Sequence, residues 1–63
     1  MRRYWEHDGR PLCQAAFWPK TGQAEITVDV RHIGVRAAAE LQRALGEAIS
    51  QVREWQASKE RGA

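Results

Sequence analysis

The sequence predicts an α+β protein in which a three-stranded antiparallel β-meander is followed by one long C-terminal helix (βββα). Two turn signals, Asp8-Gly9 and Pro19-Lys20-Thr21-Gly22, separate three segments of strand-like composition. After them, apolar residues recur every three or four positions, which is the period of an amphipathic helix. We expect one small domain over residues 1–63, with no repeat and no linker.

The strands follow from the turns. Strand candidates occupy residues 2–7 and 12–18, joined by Asp8-Gly9, whose two residues suit a type I′ hairpin turn. Residues 24–30, AEITVDV, alternate apolar and polar side chains and form the third candidate. Residues 31–34 link this strand to a helix expected from Val35 to about Ser58.

Strict pairing across both turns assigns each side chain to a sheet face. It places Tyr4 opposite Cys13 and Trp5 opposite Leu12. The face toward the helix then consists of Tyr4, Cys13, Ala15, Phe17, Ala24, Ile26, Val28 and Val30. On the outer face, aromatic and polar side chains lie together, as in interface hot spots. We predict that the residues that bind a protein partner are Arg3, Trp5, Leu12, Gln14, Ala16 and Trp18. A one-residue slip in pairing, or folding of the tryptophans over the sheet edge, is the alternative.

Helical periodicity divides the helix into faces. A narrow stripe is expected to cover the sheet and consists of Ala38, Leu41, Leu45, Ile49 and Val52. One edge of this stripe carries small residues, which would let a second helix approach closely. The predicted dimer interface therefore consists of Ala37, Ala44, Ala48, Val52 and Trp55. For Trp55 the alternative is that it closes one end of the core.

The size of the chain limits its stability. A domain of 63 residues buries only about 60% of the surface of its unfolded chain. One cysteine cannot form an internal disulfide, and no Cys/His cluster suggests a structural metal. We therefore expect stabilisation by a protein partner, by self-association as a homodimer, or by both.

The location and origin are predicted from composition. A charged start and the absence of a long apolar run predict a cytoplasmic protein without membrane association. Arginine outnumbers lysine eight to two, and alanine is abundant, a composition that we associate with bacterial or phage genes.

Residue types used in catalysis are present but scattered. The candidates for acid–base, nucleophilic or metal chemistry are His7, Asp8, Cys13, Asp29 and His32. Cys13 is expected in the core, where a free cysteine is usually an inert apolar side chain. No HExxH, CxxC, GxSxG or phosphate-loop motif occurs. We predict no enzymatic activity, no cofactor and no metal.

Nucleic-acid binding is the alternative function. In its predicted order of elements the chain is similar to the arm-type DNA-binding domain of tyrosine-family phage integrases and to the plant AP2 domain. That similarity implies that the outer sheet face would lie on the duplex. Here this face would offer Arg3, with Arg2 and Arg10 nearby, against Glu25 and Asp29, in a chain of net charge +2. We therefore favour a protein partner.

Overall fold

A computed structural model describes residues 1–29 and 31–62 of the chain. The elements are β1 (Arg2–His7), β2 (Arg10–Trp18), β3 (Gln23–Val28) and α1 (Val35–Gly62). The three strands form one antiparallel sheet with β2 in the centre. Helix α1 packs on one face of this sheet, mainly over β2, and the molecule measures 43 × 15 × 15 Å. The predicted βββα fold is confirmed.

The ends of the elements differ modestly from the predicted ones. β2 begins at Arg10 instead of Leu12 because the tight turn lets pairing start immediately after Gly9. α1 continues one turn beyond Ser58, with Lys59 and Arg61 near its C-terminus, where positive charge interacts favourably with the helix dipole. Val30, expected on the core face, lies outside the described residues.

Both turns have the conformations that their sequences favour. Asp8 and Gly9 have φ values of 50° and 75°, the positive values that a type I′ turn requires. In the second loop the Gly22 N–H donates to the Trp18 carbonyl at 2.8 Å, with Gly22 at φ 80°. A Cβ atom at Gly22 would lie 3.1 Å from Lys59 Nζ, so this loop lies close to the end of α1.

The hairpin of β2 and β3 has the predicted register. On the helix side, the cross-strand pairs are Cys13–Val28, Ala15–Ile26 and Phe17–Ala24. The outer side carries the alternate pairs, Gln14–Thr27, Ala16–Glu25 and Trp18–Gln23. Period-2 alternation therefore assigns the faces of this hairpin correctly.

The hairpin of β1 and β2 contains a register shift that strict pairing does not predict. Glu6 still opposes Pro11, but Trp5 opposes Cys13 and Tyr4 opposes Gln14, which leaves Leu12 as the extra residue of a β-bulge. The predicted faces of Trp5 and Tyr4 are therefore wrong, since each lies on the opposite side. The bulge lets the larger apolar surface of the tryptophan pack against the core, while the tyrosine keeps its hydroxyl near water.

The part of α1 closest to the sheet consists of small residues. Ala44 and Ala48 are its buried residues, and they pack with Leu12, Cys13 and Ala15. The predicted stripe is therefore displaced around the helix. Its larger members, Leu41, Leu45 and Val52, are partly buried beside the alanines, while Ala38 and Ile49 are exposed. Small side chains at the centre let the helix approach β2 closely.

Because a different side of α1 faces the sheet, the predicted dimer interface must be corrected. Ala44 and Ala48 pack against the sheet of their own chain, Ala37 is half-buried, and Val52 and Trp55 pack against the core. The Trp55 ring is stacked against Phe17, with ring centroids 6.4 Å apart and an interplanar angle of 16°. Trp55 thus closes one end of the core, which was the alternative to a place in the interface. The alanine edge is not available to a second helix.

Candidate protein-binding surface

The structure separates the six residues predicted to bind a partner. Arg3 and Trp5 lie on the helix side of β1, and Leu12, at the bulge, is only 4% exposed. The other three stay on the outer side of the sheet, with Gln14 half-buried, Ala16 buried and Trp18 37% exposed. The predicted patch of two adjacent tryptophans is therefore wrong, because the bulge turns Trp5 inward.

Arg3 and Trp5 instead join β1 to α1. Trp5 Nε1 donates to Glu47 Oε2 at 2.8 Å, and Arg3 donates through its guanidinium to Gln51 Oε1 at 2.8 Å. The guanidinium also lies 4.8 Å from the centre of the Trp5 ring, a cation–π contact. We call these four residues the β1 flank. Their polar groups bond to one another, so they serve mainly to hold the helix on the sheet.

The outer face is the sheet surface that α1 leaves uncovered. It consists of Arg2, Tyr4, Gln14, Ala16, Trp18, Gln23, Glu25 and Thr27. Tyr4, which strict pairing assigned to the core, is 66% exposed here. The face therefore carries Tyr4 and Trp18 as its two aromatic residues, with buried Ala16 on the central strand.

A shallow groove of about 310 Å³ lies beside Tyr4, next to the β-bulge at Leu12. Its surface is almost entirely apolar and is formed by Tyr4, Pro11, Leu12, Thr27, Val28 and their neighbours. Asp29 lies at its margin, where its N–H donates to the Leu12 carbonyl and its carboxylate is 3.0 Å from Arg31 Nε. The groove combines apolar walls with a polar margin, as small binding sites commonly do.

The basic residues expected to contact nucleic acid are dispersed. Arg3 belongs to the β1 flank, and the Arg10 guanidinium donates to the His32 carbonyl at 3.3 Å. Arg2 remains on the outer face, together with the acidic Glu25. Nonspecific binding to DNA depends on several basic groups placed along the phosphates. The outer face does not have this arrangement.

The residues considered for catalysis do not form one cluster. Cys13 is buried, and burial, followed by the negative charge of Glu47, raises the pKa of its thiol, which favours the unreactive protonated form. His7 Nε2 lies 3.4 Å from Asp8 Oδ2 at the first turn, where the Asp8 side chain is well exposed. Across residues 1–29 and 31–62, no three His, Cys, Asp or Glu side chains are grouped as metal ligands would be.

Comparisons with known proteins found no matching family model, no matching curated protein and no matching solved structure. Within the described part of the chain, no helix combines the length and the apolar character needed to cross a membrane.

Proposed function

We propose that the protein is a small non-catalytic binding module that acts in the cytoplasm as a homodimer and binds a protein partner through its outer face. The observation that carries this proposal is the apolar groove beside Tyr4, a residue that is 66% exposed. A partner would place an apolar side chain in the groove and cover the tyrosine ring. Removing this surface from water would stabilise the complex.

The two aromatic residues of the outer face suit this role. Tyr4 and Trp18 combine a broad apolar ring with a polar group, so they lose little on exposure and gain from burial against a partner. Both are held on strands, and a rigid position lowers the entropy cost of binding. Gln14 lines the groove opposite Thr27 of the third strand, where its amide can hydrogen-bond to the backbone of a bound segment.

A displayed library of random peptides tests the proposal while the natural partner is unidentified. We expect wild-type protein to select peptides with a shared apolar residue. Tyr4→Ala and Gln14→Arg should weaken their binding about tenfold or more, because they remove the exposed ring and place a charge at the groove. Glu54→Ala, an exposed change on the helix, is the matched control and should bind as wild type.

A further variant, Arg2→Ala, tests nucleic-acid binding, the alternative function. Binding of a DNA duplex at low salt that falls steeply as salt rises, and that weakens in Arg2→Ala, would replace the protein-binding proposal with nucleic-acid binding. Failure to select any peptide, or selected peptides that ignore both groove variants, would overturn the role of the outer face.

A further inference from the structure

In the described part of the chain, β3 is an edge strand, with no strand beside it on the side away from β2. Its sequence, QAEITV, contains no proline or lysine, the residues that commonly block edge pairing. The Asp29 N–H points toward β2, where it bonds to the Leu12 carbonyl. Because N–H directions alternate along a strand, the backbone groups of Ala24, Ile26 and Val28 point away from β2. These groups form a regular template for one more strand.

Helix α1 is apolar on the side above this open edge. Glu47 and Gln51 face β1, so helical geometry turns Leu45 and Ile49 toward β3. We call this side the β3 flank; it consists of Leu41, Leu45, Ile49 and Val52. Ile49 is 43% exposed, while the others are partly buried. An open backbone edge and an exposed apolar helix side thus lie next to each other.

We propose that this combined surface binds a second copy of the chain, with β3 paired antiparallel to the partner's β3 and the two β3 flanks in contact. The result is a six-stranded sheet covered on one face by two helices. The proposal concerns the homodimer of the proposed function and is independent of the outer face.

Alternation restricts the pairing to a few registers. The two faces of the joined sheet stay continuous only if helix-side residues of one copy oppose helix-side residues of the other. The twofold axis must therefore pass beside one residue, which opposes the same residue of the partner. With the axis at Ile26, Ala24 opposes the partner's Val28, and both copies direct their free backbone groups at each other. About six backbone hydrogen bonds then form.

Charge selects this register from the others. With the axis at Ile26, Glu25 opposes the partner's Thr27. An axis at Glu25 would place the Glu25 side chains of the two copies opposite each other. An axis at Thr27 would place Glu25 opposite the partner's Asp29. Like charges placed directly opposite are unfavourable. An axis at Ala24, or at Val28 at the other end of the strand, would leave about half of β3 without a strand residue opposite it. The strand is therefore self-complementary in charge and in apolar contact only around Ile26.

The small core gives the dimer a physical role. Among the described residues, Phe17 is the one large side chain that is fully buried, and four of the seven core residues are alanines. A chain with so little buried apolar surface gains stability from association. Pairing at β3 would enclose Ile26, Leu45 and Ile49 without disturbing the existing contacts.

Cysteine cross-linking tests the register. Glu25→Cys and Thr27→Cys proteins are prepared separately and mixed under mild oxidation. We expect a disulfide between the two variants, because opposed Cα atoms in a non-hydrogen-bonded pair lie about 4.5 Å apart. Each variant alone should cross-link at least about fivefold less, since the same residues of two copies are diagonal neighbours. The wild-type protein, with buried Cys13, is the background control.

Mass measurement tests the surface. Wild type should have the dimer mass by light scattering at about 100 μM, and Ile49→Lys should raise the dimer dissociation constant at least tenfold by bringing a charge into the apolar contact. Ser50→Lys, exposed on the other side of α1, is the control and should keep the dimer mass. Circular dichroism checks that both variants remain helical.

The outcomes are distinct. A wild-type monomer at this concentration, or a dimer that Ile49→Lys does not weaken, would overturn the proposed surface. Cross-linking of Glu25→Cys by itself, at the level of the mixture, would overturn the Ile26 axis. If Ile49→Lys unfolds, the cross-linking result alone decides. Tyr4→Ala should leave the dimer mass unchanged, so failure of the outer-face proposal does not affect this test.

Discussion

On the β1 flank, Glu47 and Gln51 of the helix bond to Trp5 and Arg3, whereas on the β3 flank leucine, isoleucine and valine side chains lie beside an open edge strand. The same helix thus has one side closed by polar contacts within the chain and another side that is apolar and partly exposed. Exposed apolar surface on a helix, and not the total hydrophobicity of that helix, therefore indicates where a partner would bind.

The largest expected effect is on the β1 flank. Trp5→Ala should lower the free energy of unfolding by about 2–4 kcal/mol, because it removes a large ring packed against the core together with its hydrogen bond to Glu47. Its neighbour Tyr4 faces outward, so Tyr4→Ala should cost less than about 1 kcal/mol. Urea denaturation measures both. A larger loss for Tyr4 would show that the bulge is absent.

The centre of the helix, between the flanks, is sensitive to size. Ala48 is fully buried, so Ala48→Leu should cost about 1–3 kcal/mol by forcing α1 away from β2. Ala39→Leu adds the same atoms at an exposed position of the same helix and should be nearly neutral. The thermal midpoints of the two variants give the comparison. Similar midpoints would place the sheet contact on a different side of the helix.

A smaller effect is expected from the polar contact of the β1 flank. Glu47→Ala removes the acceptor of the Trp5 indole N–H and should cost about 0.5–1 kcal/mol. Glu60→Ala, also exposed, should change stability by less than about 0.5 kcal/mol. The Trp5 hydrogen bond is unimportant if urea midpoints show no difference between these two variants.

The smallest effect concerns Cys13, which opposes Trp5. Burial raises its pKa above the ordinary value of 9.0, so the folded state keeps the proton longer than the unfolded state. Its contribution to stability is constant at lower pH and decreases as the pH rises above about 9. Urea titrations from pH 7.5 to 10.5 should therefore show a steeper loss for wild type than for Cys13→Ala. Parallel curves would contradict burial of the thiol.

The two hairpins show how far the sequence predicts this fold. Alternation and a four-residue loop were sufficient for the hairpin of β2 and β3, in which the expected pairs form. In the first hairpin the same reasoning failed after Pro11, where the bulge reverses the faces of Tyr4 and Trp5. A proline within a central strand was the available signal, because such prolines occur mainly at bulges or edges.

The prediction of which helix residues face the sheet was wrong for a different reason. Hydrophobicity places leucine and isoleucine at the centre of the stripe, but the distance of closest approach is set by size, and Ala44 and Ala48 lie nearest to β2. That choice depends on the small side chains of the facing strand, such as Ala15, which no single segment reveals. The expected dimer surface moved with it, from the alanine edge to Ile49, whereas the β-bulge moved the candidate binding site from Trp5 to Tyr4.

The length of α1 also affects how the chain moves through water. The radius of gyration of the chain is 13.1 Å, compared with about 10.6 Å for a compact domain of this many residues. A rod of 43 × 15 × 15 Å experiences more friction than a sphere of equal mass. A single chain should therefore elute early from a sizing column, as a larger globular protein would. The mass inferred from its elution volume should exceed its true mass because the chain is elongated.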